Sequence, residues 1–141
     1  MRIHLGAQPP LFDLQLLVVG QQDALKMGLT LDEIYHGKQL PGKFKMAVSG
    51  CHLSCSESWV RDIGLIGNKD GWALVIGGNV GVEPRIAQEC ANGLDESSAL
   101  MAIDKVVGYY QQNAKKGERL GKMIERVGIE VFKQELSYLG R

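Results

Sequence analysis

The sequence is short of cysteine, of charge imbalance and of long apolar runs. Three cysteines in 141 residues are an odd and small count, so no disulfide framework holds the chain together. Lys plus Arg equals Asp plus Glu, and the formal net charge is zero. That excludes the strong basic excess of a general nucleic-acid binder, though not a local basic pocket. The longest apolar stretches, such as Leu16 to Val19 and Ala73 to Ile76, are far too short to span a bilayer. The N-terminus carries no secretory pattern. The expectation is a cytoplasmic, reducing location with no membrane and no nucleic-acid partner. There a cysteine pair more often means metal or redox chemistry than a structural disulfide. Internal repeats, low-complexity linkers and a clear domain boundary are also missing.

What is present is the composition of a soluble globular domain, 45% hydrophobic and 23% charged. The length suits one domain with a core of its own. In residues 21–37, Leu25, Leu29 and Ile34 fall near helical spacing, with Gly37 as a stop. Phe44, Met46 and Val48 alternate with Lys43, Lys45 and Ala47, a period-two strand with both lysines on one face. Residues 49–59 read as a turn into a short helix. The runs at 62–67 and 71–78 flank Asn-Lys-Asp-Gly and predict a hairpin. The loop Gly77-Gly78-Asn79 that follows lacks dinucleotide-binding spacing. Asp95 caps a helix with Leu100, Ile103, Val107 and Tyr110 on one face, and two shorter helices follow with a break at Gly128.

Cys51 and Cys55 stand four residues apart just after the strand at 44–48. Thiolates are soft ligands suited to iron–sulfur clusters, zinc or copper, yet a cubane usually takes four. Spacing alone leaves the pair either incidental or half of a site. His4, His36 and His52 match no standard zinc spacing, and His36 reads as a helix-end residue. Cys90 reads as a small hydrophobe at a helix end. Lys43 and Lys45 form either a solvated strand face or an anion site, with Arg61 and Arg85 as further donors. Trp59 and Trp72 read as core.

The order of these motifs, "LPGKFKMAVSGC" with a second cysteine four residues on, "DIGLIG", "GWALVIGGNVGVEPR" and "VVGYYQQNAKKGERLGKMIERVG", closely resembles the iron–sulfur/siroheme domain of nitrite and sulfite reductases. The similarity is greatest to the assimilatory nitrite reductase large-subunit type, and runs from about Gln22 to Phe132. The resemblance implies an α+β fold, a mixed β-sheet with flanking helices over residues 21–141. Residues 1–20 are a divergent N-terminal segment. It implies a 4Fe-4S cluster and siroheme passing electrons to nitrite or sulfite. Cys51 and Cys55 match the later of the family's two cysteine pairs, which makes both metal ligands and Cys55 the thiolate bridging to siroheme. Lys43, Lys45 and Arg85 match basic groups that grip the anion and the siroheme carboxylates. Gly77, Gly78 and Asn79 match a segment near the cofactor, where glycines let backbone amides approach a carboxylate.

The earlier cysteine pair falls near Leu11 and Leu17, so half of the cluster ligands are missing. The chain matches one half of an architecture in which siroheme lies between two related halves, which implies a homodimer or a partner subunit. The alternative is a degenerate, cluster-less member serving in binding or oligomerisation.

Overall fold

Asn68 to Gly71 turn the chain back on itself, as the sequence predicts. Asn68 Oδ1 accepts from the Asp70 amide at 2.9 Å, the side-chain-to-backbone bond that favours Asn in turns. This hairpin joins β3 (Ile63–Asn68) to β4 (Gly71–Ile76). They lie in a five-stranded sheet with β1 (Arg2–His4), β2 (Lys45–Ser49) and β5 (Gln88–Leu94), ordered β1-β2-β3-β4-β5. β1, β2 and β3 run parallel, whereas β3, β4 and β5 form an antiparallel meander. The fold is thus α+β with a mixed sheet. The computed structural model describes residues 2–4, 22–51 and 57–139. Leu11 and Leu17 lie outside the described residues.

Among the described residues, four helices flank the sheet: α1 (Ala24–Tyr35), α2 (Glu96–Asn113), α3 (Leu120–Val127) and α4 (Ile129–Glu135). Asp95 caps α2 by accepting from the Ser98 amide at 2.7 Å. Its face of Ala99, Ala102, Ile103, Val106, Val107 and Tyr110 is buried. Gly128 breaks α3 from α4 at φ +90°, a backbone region that glycine reaches without steric cost.

The core on one sheet face joins Met27, Leu31 and Tyr35 of α1 to Met46, Val48, Leu65 and Leu74. The opposite face carries Ile66, Ala73, Val75 and Ala87. It is covered in part by a 3₁₀ turn, Ser58–Val60, in the connection from β2 to β3. Gly64 permits this approach: a Cβ there would stand 2.4 Å from the Ser58 carbonyl oxygen.

Several expectations change. Leu25, Leu29 and Ile34 are exposed, and α1 buries Ala24, Met27, Gly28, Leu31 and Tyr35 instead. Ala47 is buried with Met46 and Val48, because β2 is interior and covered on both faces. Lys43 precedes that strand rather than sharing it with Lys45. Cys90 lies in β5, not at a helix end. Trp72 is core, but Trp59 is exposed.

Candidate functional site

Cys51 follows the C-terminal end of β2, with a free thiol and only 9% of its surface exposed. The described residues on either side of the two cysteines are tied together. Ser49 and Ser58, both buried, share a hydrogen bond between their Oγ atoms at 2.8 Å, and Ser58 Oγ also donates to the Leu65 carbonyl. Cys55 itself, like His52, lies outside the described residues.

Arg61 leaves this connection with a buried side chain. Its Nη2 donates to Glu57 Oε2 at 2.8 Å, while its Nε has no acceptor among the described residues. Unsatisfied buried donors are costly in native proteins, and each invites an explanation.

A four-thiolate cluster held by this chain alone does not fit. The sequence has three cysteines, and Cys90 is on β5, three strands from β2 in the sheet order. That is about 14 Å at the usual spacing between strands. Cys90 packs against the core, and burial pushes its thiol up to about 11, so it stays protonated. Two thiolates, Cys51 and Cys55, fit one half of such a set. Among the described residues, no three His, Cys, Asp or Glu side chains gather as a metal site. His36 ends α1 in the open, with Nδ1 3.7 Å from Asp32.

The basic candidates lie at the other end of β2. The strand holds five residues, so its ends are about 13 Å apart. Lys43 is exposed and lines a groove of about 990 Å³ with Asn79 and Arg85. Lys45, half-buried at the start of β2, does not line that groove; its amide donates to Asp62 Oδ2. Arg85 is already engaged, with Nε donating to Glu125 at 2.7 Å and Nη2 to Glu83 at 3.2 Å. Asn79 braces it: Asn79 and Arg85 exchange backbone hydrogen bonds, and Asn79 Oδ1 accepts from Arg85 Nη1 at 3.4 Å. The amides of Gly77 and Gly78 donate to the carbonyls of Asp62 and Arg61. The loop therefore spends its amides on its own fold and holds Arg85.

Sequence reasoning missed two features. The carboxylate of Asp62, fully buried, receives Arg119 Nη2 at 2.6 Å and ties the start of β3 to the residue before α3. The loop at 114–118 brings Lys115 and Lys116 into the same groove as Lys43. Only the pairing of distant segments creates either, so no local pattern announces them.

Residues 17–141 match the family described as "Nitrite and sulphite reductase 4Fe-4S domain". An assimilatory-type sulfite reductase of Nitratidesulfovibrio vulgaris is 42% identical over 82% of this chain and 53% of its own length. The large subunit of a nitrite reductase (NAD(P)H) of Klebsiella oxytoca is 35% identical over 82% of this chain and 12% of its own. The chain thus spans about half of the first relative and a small part of the second. Among solved structures, a dissimilatory sulfite reductase I superposes with a TM-score of 0.73 at 12% identity, over 84% of this chain and 48% of that one. The NirA protein of Mycobacterium tuberculosis does so at 0.67 and 21% identity, over 97% and 26%. The two structures support the fold, and the sequence matches support kinship: the chain belongs to the nitrite and sulphite reductase 4Fe-4S domain family.

Proposed function

We propose that residues 21–141 form a redox domain of the siroheme and 4Fe-4S reductase type, acting on nitrite or sulfite in a reducing compartment. We further propose that a second chain, another copy or a partner subunit, completes its ligand set. The observation that carries this reading is Cys51: a buried thiol at the end of an interior strand, beside the tie between Ser49 and Ser58. With Cys55 it gives two thiolates, and a cubane takes four. When bound, the cluster and siroheme would relay electrons from an external donor to the oxyanion, and Cys51 and Cys55 would be this chain's thiolates to that pair. The chain's own part is to hold charge. Lys43, Lys45 and Arg85 offer donors to the oxyanion or to siroheme carboxylates, with Gly77, Gly78 and Asn79 fixing Arg85. The buried, unanswered Nε of Arg61 is a further donor that a bound carboxylate would satisfy.

The test is anaerobic loading with iron, sulfide and siroheme, followed by absorption spectra, metal analysis and solution mass. The expected outcome is siroheme bands with, for a cluster bridging two copies, about two cluster irons per chain in a dimer, in addition to the siroheme iron. Cys51→Ser and Cys55→Ser each abolish colour, whereas Cys90→Ala does not. A chain that refuses both cofactors replaces this reading with a cluster-less member acting in binding or oligomerisation.

A further inference from the structure

Asn92 is followed by Gly93 on β5. The chain has three further asparagines, Asn68, Asn79 and Asn113, which precede Lys69, Val80 and Ala114. Glycine has no side chain to shield its amide nitrogen from the side-chain carbonyl before it. Asn92 and Gly93 are both exposed to water. Asn79 is buried, and its Nδ2 donates to the Glu83 carbonyl at 3.0 Å. Asn113 is exposed, yet its Nδ2 is held by the Tyr109 carbonyl at 2.9 Å.

The ladder between β4 and β5 slips at this point. Trp72 pairs with Leu94 and Leu74 with Ala91, so Asn92 and Gly93 together oppose Ala73. This is a β-bulge on the last strand in the sheet order, with Gly93 in the left-handed region at φ +66°. A bulge releases its residues from a regular rung of the ladder. Asn92 Oδ1 accepts from the Gly93 amide at 2.7 Å and from Asn68 Nδ2 at 3.1 Å. A C=O bond is about 1.2 Å long, which puts the Gly93 nitrogen within about 4 Å of Asn92 Cγ. A nucleophile, a carbonyl carbon and a donor aimed at the carbonyl oxygen thus converge, and such a donor stabilises charge that develops on that oxygen.

We propose that Asn92 is a self-modification site, at which the chain converts its own asparagine to aspartate and isoaspartate. Hydroxide takes the Gly93 amide proton, and the nitrogen attacks Asn92 Cγ while Asn68 Nδ2 holds the charge on Oδ1. The new N–Cγ bond closes a five-membered imide, the Cγ–Nδ2 bond breaks, and Nδ2 leaves as ammonia with a proton from water. A second water opens the imide at either carbonyl. Opening at Cγ breaks the new bond and leaves aspartate. Opening at the backbone carbonyl leaves isoaspartate, with one more carbon in the main chain. The sum is amide plus water to acid plus ammonia, with nothing oxidised or reduced. The extra carbon falls between the Ala91 and Leu94 rungs. It therefore pushes on Leu94, which is fully buried, and on Asp95, which caps α2. None of this depends on a cofactor.

The test is to age the folded full chain in warm buffer and to follow each asparagine by peptide mass mapping. The tryptic peptide from Ile86 to Lys105 holds Asn92 as its one asparagine. Asn92 is expected to deamidate about tenfold faster than Asn68, Asn79 or Asn113, because glycine follows it alone. The rate is expected to rise about tenfold per pH unit, as the deprotonated nitrogen does far below its pKa. Asn68→Asp keeps the acceptor for the Asp70 amide but has no donor for Oδ1, and is expected to slow Asn92 about threefold or more, with circular dichroism unchanged. Asn92→Gln is expected to leave the peptide intact. Asn92→Asp is expected to unfold in urea with the parent, whereas the isoaspartate form, separated by ion exchange, unfolds earlier. The proposal is overturned by an aged chain unmodified at Asn92, or by equal loss at all four asparagines. A rate independent of pH, or one unchanged in Asn68→Asp, does the same.

Discussion

Arg61 brings a guanidinium into the protein and leaves its Nε unanswered among the described residues, with one ion pair to the exposed Glu57. Burying such a group costs about 1–3 kcal/mol when a donor stays unpaired. Replacing a buried ion pair by an apolar side chain of similar volume is often neutral or stabilising. Arg61→Met is therefore expected to unfold in urea at the same or a higher concentration than the parent. A loss of more than about 2 kcal/mol would show instead that the guanidinium is fully satisfied. The same substitution is expected to weaken siroheme uptake, so the two measurements together separate a donor kept for a ligand from one kept for the fold.

At the scale of elements, the loop between α2 and α3 depends on one carboxylate. Glu118 accepts from Arg126 Nη2 at 2.7 Å, from Arg126 Nε at 3.0 Å and from the Lys115 amide at 3.1 Å. The Arg126 hydrogen bonds, with smaller help from the Lys115 amide, hold the Glu118 carboxyl down to about 2 from an ordinary 4.5. A carboxyl depressed in the folded state stabilises above its unfolded pKa, and that stability drains as pH falls toward the folded value. Arg126→Ala is thus expected to lower the urea midpoint near pH 6, and only modestly because the pair is partly solvated. The gap from the parent should close between about pH 4.5 and 2. Urea midpoints at pH 6, 4 and 3 check this; a gap that stays constant with pH would deny Glu118 this role.

The elements themselves were largely legible. Asp95, the Asn-Lys-Asp-Gly turn and Gly128 act through local backbone chemistry, which sequence carries directly. The face of α1 was not legible from its largest aliphatics. Its buried residues do follow helical spacing, but through Ala24, Met27 and Gly28 as much as Leu31. Cys90 sits in "QECANGL", which has little strand preference; pairing with β4 makes it a strand. Of the candidate site, the cysteine motif and Arg85 could be read along the chain. The Asp62–Arg119 pair and the three-lysine groove could not, because segments more than fifty residues apart compose them.

Across the whole molecule, β2 keeps the thiol end and the cationic end apart, and its topology also sets an order of assembly. The meander of β3, β4 and β5 pairs neighbours in sequence, whereas β2 joins β3 in parallel only after the connection that bears the cysteines is closed. Closing such a connection costs chain entropy before any contact repays it, so parallel pairing is slow. Pulse-labelled hydrogen exchange during refolding is expected to protect the amides of Leu65, Leu74 and Ile103 before those of Met46 and Ala47. Simultaneous protection would contradict this order. Until β2 docks, Cys51 stays open to reagents and to iron alike. On the proposed reading, delivery of a cluster to Cys51 would then be a race against the docking of β2, with the thiol most open to metal just before that strand settles.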